Sequence, residues 1–309
     1  MANLGRIISN IEQLEPIIAD LEVKVANSPN DFATNMQLMS FRNQIDDLYQ
    51  QRYKENLKRE KEIIELRLIG QSARFGNIPL GFVSGLTKNF SETIFNTSSF
   101  LKFGRKGGKK REKLIQDTID LRFEGIGRGS TIFYLSGRTS PDLFGTSIIQ
   151  EALENTFNLI KSDNPDKLLE NIGDVGIKSI KPLSRFLLEL SNDELDIDLR
   201  WQSPNDREFL WEGRTENINS LYHSLNQISV SEPIDIEFEG ELITISSKGK
   251  FELQTTNNLH LFGHFSNDLL EKMKEFHIGD VCKGNITKTT ILNPVTGKEK
   301  TEFNLKNIQ

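Results

Sequence analysis

The sequence has little cysteine, little histidine and no long apolar run, and each shortage excludes a class of protein. With Cys282 as its one cysteine in 309 residues, the chain can form no internal disulfide and no zinc site built from several thiolates. The first residues lack the basic-then-apolar order of a signal peptide. No window approaches the roughly 20 apolar residues that span a bilayer. We therefore expect a cytoplasmic protein that does not contact a membrane.

Catalytic motifs are equally scarce. His260 and His264 share one face of a predicted strand, but they are too far apart at strand spacing to bind the same metal ion. The run Gly125-Ile-Gly-Arg-Gly lies between two predicted strands, whereas a phosphate-binding loop needs a helix after it. There is no Gly-x-Ser-x-Gly motif. We predict no catalytic residue and no cofactor, and we regard enzymatic activity as unsupported by any motif.

One acidic strand leaves a metal-dependent enzyme as a third hypothesis. Asp196 and Asp198 would share a strand face and could bind a divalent cation. Their alternation with Ile197 and Leu199 is equally typical of a half-exposed strand. No Glu-x-Lys triplet follows in a suitable place, so we assign no metal ligand.

Charge is strongly segregated along the chain. The net charge is −6, yet residues 102–113 contain seven cations and one anion. Glycines within this run predict a flexible loop, and its cations could displace counterions from a phosphate backbone. A solvated loop, or a contact with an acidic protein, are the alternatives. The residues that we predict to bind a polyanion or nucleic acid are Lys102, Arg105, Lys106, Lys109, Lys110, Arg111 and Lys113.

The N-terminal 61 residues predict two helices joined by a short turn. Apolar residues over 4–26 follow a strict 3–4 spacing, and the same spacing recurs over 38–48. Pro16 indicates either a kink or a helix start. The resulting antiparallel hairpin could bury this seam within the chain or extend it as a coiled coil into a second subunit. For self-association we predict the seam residues Leu4, Ile7, Ile11, Leu14, Ile18 and Leu21.

The remaining chain predicts two further domains. Residues 62–228 mix strands of period two with amphipathic helices, which is typical of a central α+β domain with a small sheet. Residues 229–309 show five strands, with one short helix after the third. This order resembles the oligonucleotide/oligosaccharide-binding (OB) barrel, and an SH3-like barrel is the alternative. Acidic residues on its first strand oppose a phosphate-binding role.

These features define a multidomain α+β protein and two leading functional hypotheses. The first is a non-enzymatic interaction or scaffold subunit of a larger cytosolic assembly, which is homo-oligomeric and binds a protein partner of unknown identity. The second is a sequence-nonspecific nucleic-acid-binding subunit that uses the predicted loop 102–113. An antiviral prokaryotic defence or genome-maintenance system would suit either, although no residue points to one.

Overall fold

The computed structural model describes most of the chain and divides it into two compact units. It describes residues 2–57, 61–73, 78–104, 108–127, 131–139, 147–204, 207–246, 249–266, 269–294 and 296–309, without the side chains of 2–4, 53, 54, 56 and 57. One unit contains Met1–Glu62 and Gln202–Glu208. The other contains Ile63–Trp201 and Phe209–Gln309. Each is described separately below.

The first unit is built from two long helices. They are α1 (Ala2–Asn27) and α2 (Phe32–Leu57), and Pro16 lies within α1. Asp31 caps the N-terminus of α2, since its carboxylate accepts hydrogen bonds from Ala33 N and Thr34 Oγ1 at 3.1 and 2.6 Å. These bonds lower the pKa of Asp31. Apolar side chains of both helices form one buried cluster, so the predicted seam is packed inside this unit.

A five-stranded sheet forms the base of the second unit. Its strands in spatial order are β2 (Arg122–Ile126), β3 (Thr131–Arg138), β1 (Lys61–Ile69), β4 (Asp196–Gln202) and β5 (Glu208–Gly213). β2 and β3 pair antiparallel, as the sequence predicts. The central position of β1 explains why even Glu65, on the face expected to be exposed, is buried. β5 is an addition to the strands predicted from the sequence.

Six helices of the second unit pack with this sheet around one apolar core. They are α3 (Leu80–Phe103), α4 (Lys109–Ile119), α5 (Ile148–Ile160), α6 (Pro165–Val175), α7 (Ile180–Asn192) and α8 (Thr215–Gln227). α4 corrects the prediction of a flexible loop over 102–113. Ile115 and Ile119 are one helical turn apart and both are buried, which holds this short segment as a helix.

The C-terminal residues close into a five-stranded β-barrel, as predicted. A short strand, β6 (Ser229–Val230), precedes it and pairs with β10. The barrel elements are β7 (Ile234–Ile245), β8 (Lys250–Thr255), β9 (His260–Phe265), α9 (Leu270–Met273), β10 (Val281–Asn293) and β11 (Lys298–Ile308). Neighbouring strands pair antiparallel except β9 and β11, which are parallel and complete the barrel. The described fold is therefore mixed α+β. None of its described helices has the length and apolarity needed to cross a membrane.

Candidate polyanion-binding site

The basic segment, residues 102–113, begins on one helix and ends on another. Lys102 and Phe103 are the last residues of α3, and Gly104 follows at φ +61°. Gly108 precedes α4 at φ +135°, a conformation that favours glycine. Lys109, Lys110, Arg111 and Lys113 occupy the first turns of α4. Arg105 and Lys106, which the sequence analysis also assigned to this site, lie outside the described residues.

Phe103 joins the two helices beneath these cations. Its side chain is buried, with the Lys102 ammonium 5.9 Å and the Arg111 guanidinium 5.4 Å from the ring centroid. Both cations are attracted to the negative face of the ring. Phe103 is the only aromatic residue of the segment. Because it is buried, it offers no exposed face on which a nucleotide base could stack.

Four lysines of the basic segment stand out because they have no ion-pair partner among the described residues. Within the described part of the chain, no carboxylate pairs with Lys102, Lys109, Lys110 or Lys113, whereas Lys24, Lys250 and Lys283 each lie within 3.1 Å of one. Three cations and one anion, Glu112, occupy the first turn of α4, so this turn keeps a net positive charge next to the positive end of the helix dipole. No side chain of the described residues caps that end. This concentration of positive charge favours an anionic ligand.

The residues predicted for self-association lie in the interior of the first unit. Ile7, Ile11, Leu14, Ile18 and Leu21 are all buried against apolar residues of α2. The side chain of Leu4 lies outside the described ones. The surface of this unit instead carries a second apolar stripe on α2, which consists of Phe32, Met36 and Met39.

The two aspartates considered as metal ligands both contact the beginning of α8. The Asp196 carboxylate accepts hydrogen bonds from Thr215 N and Thr215 Oγ1, both at 2.8 Å. Asp198 pairs with Arg214 at 2.9 Å, and this contact raises the pKa of Arg214. Among the described residues, no group of three His, Cys, Asp or Glu side chains is placed to hold a metal ion. Their contacts give both carboxylates a structural role.

Beside the basic segment lies a polar junction that the sequence analysis missed. Here strands β8, β9 and β11 of the barrel face the end of α3 and the helix α6. Lys250 pairs with Asp174 of α6 at 3.1 Å, and Lys300 donates to the Glu170 carbonyl at 2.8 Å. Asn304 of β11 lies against Gly104, with its Oδ1 3.5 Å from where a Cβ on Gly104 would be. No sequence signal could have found this contact, since Asn304 occupies an ordinary outward-facing position of its strand.

Two side chains of this junction are unusual. His264 lies 5.5 Å from the Phe100 ring, centroid to centroid, and its pKa is lowered to about 4. Burial disfavours the imidazolium, Lys250 and Lys300 repel it, and Asp174 partly opposes this effect. Asn304 is 7% exposed, and neither its Nδ2 nor its Oδ1 has a hydrogen-bond partner among the residues that the structure describes.

Comparison with known proteins identifies no relative of this chain. No family model, no curated protein and no solved structure matches this chain.

Proposed function

We propose that this protein is a nucleic-acid-binding subunit that binds phosphate groups through the basic segment. The observation that carries the proposal is the cluster of exposed lysines at the start of α4, which pair with no carboxylate of the described residues and lie where the helix dipole adds to their charge. Phosphate oxygens would be the natural partners of these groups, and their binding would release counterions. Since Phe103 is buried, such binding would read the backbone and not the base sequence.

Reversing the charge of three lysines should abolish most of this binding. We expect Lys109→Glu, Lys110→Glu and Lys113→Glu together to weaken binding of a labelled oligonucleotide at least about tenfold at low salt. The wild-type affinity should fall steeply with rising salt, and the variant should show a shallower dependence. Fluorescence anisotropy over a salt series measures both quantities.

A variant with three other lysines changed tests whether binding depends on a local site or only on the net charge of the protein. Lys178, Lys181 and Lys272 are exposed lysines on α9 and around the start of α7, and their change to glutamate alters the net charge equally. We expect this control to keep most of the wild-type affinity. Equal losses in both variants, or wild-type binding by the first, would contradict the proposal.

Two finer features of the fold belong to this proposal. We infer that α1 and α2 form an antiparallel hairpin, because Glu15 and Glu22 of α1 contact Tyr49 and Arg42 of α2 in reversed order. We also infer that the barrel is OB-like, since its third and fifth strands pair in parallel and its helix follows the third strand. Such a barrel within a cytoplasmic, three-domain chain would suit a nucleic-acid-binding assembly.

A second candidate function is self-association as a scaffold subunit, favoured by the apolar stripe on α2. Phe32, Met36 and Met39 are 77%, 52% and 61% exposed, and their spacing of four and three residues places them on one helix face. Large exposed apolar patches are typical of interaction surfaces. A second copy of this chain could cover the stripe with its own, as in a helical dimer.

Two charges in this stripe should dissociate such a dimer. We expect Met36→Glu with Met39→Glu to raise the dimer dissociation constant at least about tenfold, because each copy would bury two unpaired carboxylates. Light scattering after size exclusion gives the mass of each variant. Gln44→Glu with Gln51→Glu, on exposed positions of the same helix, should leave the dimer intact. A monomeric wild-type protein at high concentration would exclude this candidate.

A further inference from the structure

The side-chain amide of Asn304 is buried without a hydrogen-bond partner among the described residues. Its amide can donate two hydrogen bonds and accept two, yet it makes none in the described part of the chain, and its polar atoms are buried. An unpaired buried amide destabilises a fold, whereas an apolar side chain of similar shape at the same place would not. The amide therefore contributes nothing to folding that leucine could not supply.

Its position links this amide to the basic segment. Asn304 lies against Gly104, which follows the last turn of α3, and Lys102 belongs to that same turn. Asn304 belongs to barrel strand β11, and His264 is the residue opposite it on the neighbouring strand β9. A ligand bound at Lys102 would thus lie beside the one unsatisfied amide of β11 among the residues described.

The two halves of the amide restrict the chemistry of the ligand. Nδ2 needs an acceptor, which any phosphodiester oxygen supplies. Oδ1 needs a donor, and the DNA backbone has none, whereas the RNA backbone carries a 2′-hydroxyl that both donates and accepts. Base edges also carry donors, but the buried Phe103 leaves no exposed aromatic ring in the segment to hold a base in place.

We propose that Asn304 is a ligand-binding residue of this site and that the ligand is RNA, with the amide bound to one phosphate oxygen and one 2′-hydroxyl. This inference rests on the proposed function, since the lysines of the basic segment supply most of the affinity. Because both amide atoms are shielded from solvent, this binding requires Gly104 and the end of α3 to move away from Asn304. The barrel and the central helices then hold a single RNA backbone together.

The test compares ribose and deoxyribose oligonucleotides of one sequence by fluorescence anisotropy. We expect the wild-type protein to bind the RNA about fivefold more tightly than the DNA, as one additional hydrogen bond allows. Asn304→Leu should bind both equally and should unfold at a urea concentration no lower than wild type. Should the leucine variant fail to fold, Asn304→Ala removes the same atoms with a side chain that fits any space asparagine fills.

The controls separate failure of this inference from failure of the proposed function. Ser266→Ala removes another buried polar atom of the barrel that has no hydrogen-bond partner among the described residues, and it should keep the RNA preference. Equal wild-type affinity for RNA and DNA, or a preference that persists in both Asn304 variants, overturns the inference. The function itself still stands if Lys109→Glu, Lys110→Glu and Lys113→Glu together abolish binding. If that triple variant binds like wild type, the function and the inference both fail.

Discussion

Replacing Trp201 with alanine is expected to destabilise the second unit by about 4 kcal/mol. Trp201 is fully buried on β4. Its ring stacks on Phe209 at 4.9 Å between centroids and lies 6.1 Å from Phe157. Alanine would remove these contacts and leave a cavity, because the surrounding helices and strands can collapse only partly. Urea unfolding followed by circular dichroism measures the loss.

An exposed aromatic residue of the same unit gives the control. Phe262 on β9 is 62% exposed, so Phe262→Ala should change the stability by less than about 0.5 kcal/mol. A loss below about 1 kcal/mol for the tryptophan variant would mean that Trp201 is not part of a closely packed core. Trp201→Phe, which keeps an aromatic ring, should fall between the two.

The spacing of apolar residues in the sequence was sufficient to predict those helices and strands whose buried faces repeat at the helical or strand period. The barrel strands alternate apolar and polar residues and are separated by turn residues such as Asn257 and Asn258, so their order was predictable. The seam of α1 was predictable for the same reason, because Ile7, Ile11 and Leu14 follow the helical repeat. The surface that covers such a seam is determined by tertiary packing. The spacing of the apolar residues could not tell whether α2 or a second subunit covers it.

The failures concern segments that depend on distant contacts. α4 contains only two buried residues, Ile115 and Ile119, and the glycines and cations before them favour a loop. The parallel pairing of β9 with β11 joins Gly263 to Phe303, forty residues apart in sequence, and no local signal specifies it. Of the candidate site, the cations were therefore predictable, while the contact of Asn304 with Gly104 was not.

Acid should destabilise the second unit through His264. The pKa of this imidazole is about 4 in the folded protein against 6.5 for an unperturbed histidine, so well above pH 6.5 it is neutral whether the chain is folded or not. As the pH falls below 6.5, the unfolded chain binds a proton that the folded chain does not. Stability present at neutral pH is then lost progressively until the pH reaches about 4. The expected loss between about pH 7.5 and pH 5 is about 2 kcal/mol.

The low pKa of His264 arises from its surroundings in the polar junction, and a His264 variant tests this explanation. Burial beside Phe100 is the main reason for the low pKa, and Lys250 and Lys300 add repulsion. His264→Gln, which cannot be protonated, should lose about 2 kcal/mol less than wild type between those pH values in urea unfolding. His223→Gln, at an exposed histidine of α8, is the matched control and should retain the wild-type loss. If His264→Gln instead retained the full wild-type loss, the acid sensitivity would arise from other groups, and the junction would not shield His264.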